Sequence, residues 1–89
     1  MRIRKGLVLR EIADTIVVVP TGNLIKEING TIQLNETGKF IWQLLEKEDL
    51  SMEEIANQLI EKYKFSQERA IYSAEKFIQK LKDAKVLEI

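Results

Sequence analysis

The sequence predicts an α+β domain in which a small antiparallel three-stranded sheet is followed by three helices. Three observations point there. β-Branched residues crowd the first third of the chain, above all Thr15-Ile16-Val17-Val18-Val19, and such side chains fit a pleated surface. From Asn35 onward apolar residues recur at helical spacing instead. Nothing between the two parts resembles a linker, so the 89 residues read as one domain, 1–89, with a sheet part at 7–34 and a helical part at 35–89.

Residues 7–13 and 15–20 read as a tight hairpin, with Asp14 in the turn because Asp tolerates a left-handed backbone. Pro20 lacks a ladder donor, so Pro20-Thr21-Gly22-Asn23 bends or ends the second strand. Residues 24–28 read either as the second half of a bent strand or as a strand of their own. Asn29-Gly30 is a strong type I′ hairpin signal. Thr31-Ile32-Gln33-Leu34 is then the returning strand, with Ile32 and Leu34 on one face.

Asn35 is a good N-cap for the first predicted helix, which reaches about Glu46 with Phe40, Ile41, Leu44 and Leu45 as its stripe and Trp42 on a flank. Ser51 and Glu54 form a capping box for the second, with Leu50 stapled to Ile55. Its buried face is Ile55, Ala56, Leu59, Ile60 and Tyr63. The third follows Ser66 and reaches about Lys85. Its central stripe is Ile71, Ala74, Ile78 and Leu81, widened by Ala70, Phe77 and Ala84. Val86-Leu87 closes the core behind it.

Composition narrows the function. Lys+Arg and Asp+Glu are both 14, so a net charge of zero gives no long-range attraction to phosphate backbones or anionic lipid, and little repulsion against a homodimer. Cys and His are absent, which removes thiolate chemistry, the commonest general base and the commonest transition-metal ligand. The densest apolar run, Ile16 to Pro20, is far too short to span a bilayer. The chain reads as soluble and cytoplasmic. Glu48-Asp49 and Glu53-Glu54 are adjacent acids of the kind that stay solvated or favour a helix start. No phosphate loop, nucleophile elbow or metal-ligand spacing appears, so no catalytic residue, metal or cofactor is expected.

Several segments together resemble a known family. Leu9-Arg10-Glu11-Ile12-Ala13, Val17-Val18-Val19-Pro20-Thr21-Gly22, Asn29-Gly30 and Leu34-Asn35-Glu36-Thr37-Gly38 with Trp42 look like the PqqD-like family of small domains. These bind the leader segment of ribosomally made peptides. The resemblance spans nearly the whole chain, with Asp14 standing where its hairpin would carry Gly. It implies a winged-helix-like fold and a non-enzymatic peptide chaperone. It also implies two partners: a precursor leader peptide and a modifying enzyme such as a radical-SAM or cyclising maturase.

The residues themselves leave an edge formed by Thr31, Ile32, Gln33 and Leu34 open to pairing, and the resemblance implies that a leader adds there. The edge contains no Pro, Lys or bulge to block pairing, so an extended peptide can add there as a strand. The alternatives are cover from the same chain or a dimer mate. The resemblance implies that the leader also packs on the third helix. There Phe77, Leu81 and Ala84 can line a pocket with Lys80 at its rim for a leader carboxylate; ordinary packing accounts for Phe77 and Leu81 equally well. Ile32→Pro is the expected disruptive control. A winged-helix nucleic-acid binder is the second reading. Between Glu68 and Lys85 the basic excess is only two, which argues against it. A structural dimerisation domain is the third.

Overall fold

A computed structural model describes residues 1–28 and 30–88. Strands β1 (Arg2–Ile3), β2 (Leu7–Ile12) and β3 (Thr15–Pro20) are followed by a one-turn helix α1 (Leu24–Glu27) and strand β4 (Ile32–Leu34). Helices α2 (Glu36–Lys47), α3 (Met52–Tyr63) and α4 (Gln67–Asp83) and strand β5 (Leu87–Glu88) complete the chain. The α+β class and the three-stranded antiparallel sheet are as the sequence predicts, in the order β2-β3-β4.

The β2–β3 hairpin turns at Ala13-Asp14, between the partners Ile12 and Thr15. The left-handed residue is Ala13, with φ 54°, rather than the Asp14 expected from its side chain. An alanine Cβ is costly in that region and Gly is not. Ala13→Gly is therefore expected to stabilise the domain by about 0.5–1 kcal/mol, read as a higher urea midpoint at unchanged slope.

Residues 24–27 form a helical turn instead of a strand. Leu24 drops into the core, and a Cβ on Gly6 would lie 3.1 Å from its Cδ1, so the segment packs over the start of β2. With no strand at 24–28, the partner of β4 is β3, paired Ile16↔Leu34, Val17↔Gln33 and Val18↔Ile32. Of the expected Asn29-Gly30 turn, Asn29 lies outside the described residues and Gly30 has φ +75°.

The helices start where the local chemistry requires. Asn35 Oδ1 accepts from the Gly38 amide at 2.7 Å. Ser51 and Glu54 complete both bonds of the capping box, and Ser66 caps α4 through the Arg69 amide. The core is Ile41, Trp42 and Leu45 of α2, Ile55 and Leu59 of α3, and Ala70, Ala74, Ile78 and Leu81 of α4, with Val18 beneath. Trp42 is central rather than flanking: the α2 stripe runs 38, 41, 42, 45, which turns Phe40 and Leu44 half outward. On α4 Ile71 is 40% exposed, because the buried stripe is Ala70, Ala74, Ile78 and Leu81 and leaves Ile71 at its margin. Val86 is buried as expected. Beyond it Leu87–Glu88 pairs with Arg2–Ile3 in a second, two-stranded sheet, which no local pattern announces.

Candidate functional site

Register decides which backbone groups at the β4 edge are free. A two-residue turn makes Ile12 and Thr15 a hydrogen-bonded pair, and bonding alternates from there. The Thr21 amide donating to the Gly6 carbonyl at 2.7 Å confirms that alternation at the far end of the ladder. Thr15, Val17 and Val19 thus bond toward β2, while Ile16 and Val18 bond toward β4. Ile32 and Leu34 answer them, so their amides and carbonyls face inward. The outward pair belongs to Gln33. Lys80 Nζ donates to the Gln33 carbonyl at 2.6 Å, from outside the sheet, as this alternation requires.

This overturns the expected control. Proline at Ile32 would break a β3–β4 bond and damage the sheet itself. Proline at Gln33 removes the donor that faces away from it.

Beside this edge runs a groove of about 790 Å³. Leu34, Asn35, Thr37, Gly38 and Ile41 form one side; Phe65 and the α4 residues Arg69, Tyr72, Ser73, Lys76, Phe77, Gln79, Lys80 and Asp83 form the other. α4 runs along the edge opposite in direction to β4: Lys80 meets Gln33, and Phe77, nearly a turn earlier, meets Gly38.

Gly38 explains why a glycine stands in the first turn of a helix, where it costs about 1 kcal/mol against alanine. A Cβ there would lie 2.9 Å from Phe77 Cε1 and 3.2 Å from Asn35 Oδ1. The missing side chain lets the Phe77 ring lie flush against the α2 start, forming the groove floor. Gly38→Ala is expected to change stability by no more than about 1 kcal/mol, since gained helix propensity offsets the contact. It should instead tilt Phe77 into the groove. Urea denaturation and the proton shifts of the Phe77 ring measure the two effects; a loss much larger than this would mean that the ring is wedged and cannot yield.

Of the residues expected at the site, Gln33, Leu34, Phe77 and Lys80 come together here. Ile32 is half-buried with its backbone turned inward, and Thr31 is exposed just before the strand. Leu81 is 0% exposed and faces the core instead of the groove. Ala84 caps α4 beyond the groove's end. Both were expected to line a pocket, but Leu81 stands in the middle of the buried stripe Ala70, Ala74, Ile78 and Leu81, where ordinary packing holds it, and Ala84 lies past the last turn of the helix. Sequence reasoning missed Arg69, Tyr72 and Lys76, polar positions that read as a solvated face until β4 is placed across from them.

Electrostatics separates the groove cations from the others. Lys39, next to Gly38, is tied to Glu11 on β2, and that hydrogen bond holds its ammonium above the ordinary lysine pKa. Arg69 stacks on the Phe65 ring at 4.0 Å, and Lys76 lies 5.6 Å from the Tyr72 ring centre. Among the described residues no group of three or more His, Cys, Asp or Glu is placed to hold a metal ion, and no helix is long and apolar enough to cross a membrane.

The family described as coenzyme PQQ synthesis protein D (PqqD) matches residues 9–87. The chain belongs to the PqqD family. A solved structure titled "TbiB1 in Complex with the TbiA(beta) Leader Peptide" superposes with a TM-score of 0.75 at 25% identity, covering 99% of this chain and 95% of that one. No curated protein matches the chain.

Proposed function

We propose that this PqqD-family domain is a non-catalytic chaperone for a ribosomally made precursor peptide. It captures the leader as an added strand on β4 and presents the attached core peptide to a modifying enzyme, such as a radical-SAM or cyclising maturase. The observation that carries this reading is the Gln33 amide and carbonyl turned outward beside a long groove. Main-chain bonds at such an edge supply affinity, and pockets for alternate side chains supply specificity. Leu34 and Phe77 form the apolar floor, and Lys80 stands at the rim. Thr31 and Ile32 frame the entry to the strand. In the related complex, TbiB1 is bound to a leader peptide, which supports the same class of ligand here.

Chemistry is left to the partner. Holding the leader raises the effective concentration of the core peptide at the partner's active site without any new contact to it. A cytoplasmic location agrees with this role.

Fluorescence-polarisation titration with labelled leaders of precursor peptides encoded nearby tests the proposal. Saturable binding that a scrambled leader lacks is the expected result. Binding that survives Gln33→Pro unchanged would move the site elsewhere, and no binding to any leader would end the reading.

A further inference from the structure

Three cations on the α4 wall of the groove, Arg69, Lys76 and Lys80, have no carboxylate partner among the described residues. The ion pairs among the described residues join Met1 to Asp49, Arg2 to Glu88, Arg4 to Glu27 and Lys39 to Glu11. Arg69 and Lys76 rest instead on the rings of Phe65 and Tyr72, and Lys80 on the Gln33 carbonyl. The only groove carboxylate among the described residues, Asp83, accepts from Gln79 at 3.0 Å. A neutral chain thus concentrates uncompensated positive charge along one wall of one groove.

Such exposed contacts are weak and easily exchanged. A cation over a ring at an exposed site contributes only about 0.5–1 kcal/mol. Lys76 and Lys80 are one helical turn apart, about 6 Å along the axis. Alternate residues of a strand, which share a face, are separated by roughly 6.6 Å. A strand laid between β4 and α4 therefore sets every second side chain opposite successive α4 cations.

We propose that the segment taken by this groove is acidic, with carboxylates at alternate positions, in a D/E-x-D/E pattern, that draw Lys76 and Lys80 off the Tyr72 ring and the Gln33 carbonyl. This rests on the peptide-capture reading above and specifies its ligand. Lys80 is the latch. In the free domain it occupies the acceptor that an added strand needs. A guest carboxylate offers the ammonium a stronger, charge-assisted partner, and the vacated Gln33 carbonyl then accepts the guest's amide. An acidic guest opens the edge for itself, whereas a neutral one must compete with Lys80.

An extended peptide suits this wall better than a nucleic acid strand. Stacking of bases needs free ring faces. Phe65 is stacked on Tyr63 on one side and has Arg69 over its ring, Phe77 lies against Gly38, and Tyr72, 63% exposed beside Lys76, is a single ring where successive bases need several.

The test is selection of a random twelve-residue peptide library on phage against the intact domain, followed by polarisation titration of labelled binders. Enriched peptides should carry D/E-x-D/E. Replacing one such acid by its amide should weaken binding about fivefold, and raising NaCl from about 50 to 500 mM should weaken the acidic peptide more than its amide form. Lys80→Met should weaken the acidic peptide yet leave the amide peptide unchanged or tighter, because the carbonyl is then free; a merely structural Lys80 would not produce that split. Enriched binders without acids, indifferent to Lys76→Met and Lys80→Met but lost on Gln33→Pro, would overturn the acidic ligand and leave peptide capture standing. Failure to enrich any binder sensitive to Gln33→Pro would overturn both, as would a twenty-residue oligothymidylate that binds more tightly than every enriched peptide and is itself indifferent to Gln33→Pro.

Discussion

Gln33→Pro is expected to preserve the fold and to weaken leader binding at least tenfold. The Gln33 backbone faces away from β3, so proline there breaks no bond of the three-stranded sheet. Edge strands tolerate proline when its missing amide would have faced solvent. For a guest strand the same change removes the one well-placed donor and puts a ring where its carbonyl would dock. A lost bond of about 1.5 kcal/mol already corresponds to more than tenfold, and the steric conflict adds to it. Circular dichroism and a urea midpoint close to wild type should accompany the loss of polarisation signal. Ile32→Pro is the informative contrast, because it should lower stability by removing a β3–β4 bond. Equal stability losses for the two variants would show that the alternation deduced from the hairpin is wrong.

Trp42→Ala is expected to cost more stability than any other single truncation, about 3–5 kcal/mol. Trp42 is 0% exposed and is the largest fully buried side chain, packed with Ile41, Leu45 and their neighbours on α3 and α4. A domain of this length holds only about 4–13 kcal/mol in all, so the variant should melt some 15 °C or more below the wild type. Its indole N–H has no hydrogen-bond partner among the described residues, and burying such a group costs about 1–3 kcal/mol. Trp42→Phe keeps most of the apolar surface and removes that cost, so it should lose far less than Trp42→Ala. Calorimetry of both variants separates the ring's packing from its polar atom. Equal losses would mean that the N–H contributes to stability.

The dependence of the site on Gly38 illustrates how a local cost signals a tertiary contact. A glycine at the start of an amphipathic helix, directly after a cap and two residues, is locally unfavourable. The sequence therefore indicates a close approach at position 38, but not which group approaches. Phe77 lies 39 residues away in the chain, and no periodicity links the two.

The elements legible in the sequence are those built from neighbouring residues. The β2–β3 hairpin follows from a β-branched run and a short turn, and the three long helices from caps at Asn35, Ser51 and Ser66 followed by apolar stripes. The PqqD-like resemblance, read from segments scattered along the chain, was enough to anticipate the family. Where local signals conflict, the same reasoning fails: Leu24-Ile25-Lys26-Glu27 suits a strand or a helix, and docking of Leu24 on the core selects the helix. The β1–β5 pair joins two-residue segments from opposite ends of the chain, which carry no pattern of their own.

By itself the sequence determined a neutral α+β domain without Cys or His chemistry, its hairpin, its helix starts and the strand that forms the edge, because each depends on propensities and spacings within a few residues. Only the tertiary structure decided which backbone of that edge faces outward, that Phe77 and not Leu81 reaches the groove, and that Arg69, Lys76 and Lys80 line one wall. Those facts depend on register and on the rotation of α4 about its axis. Both are set by packing between segments far apart in the chain, where a shift of one residue exchanges a buried side chain for a groove-lining one.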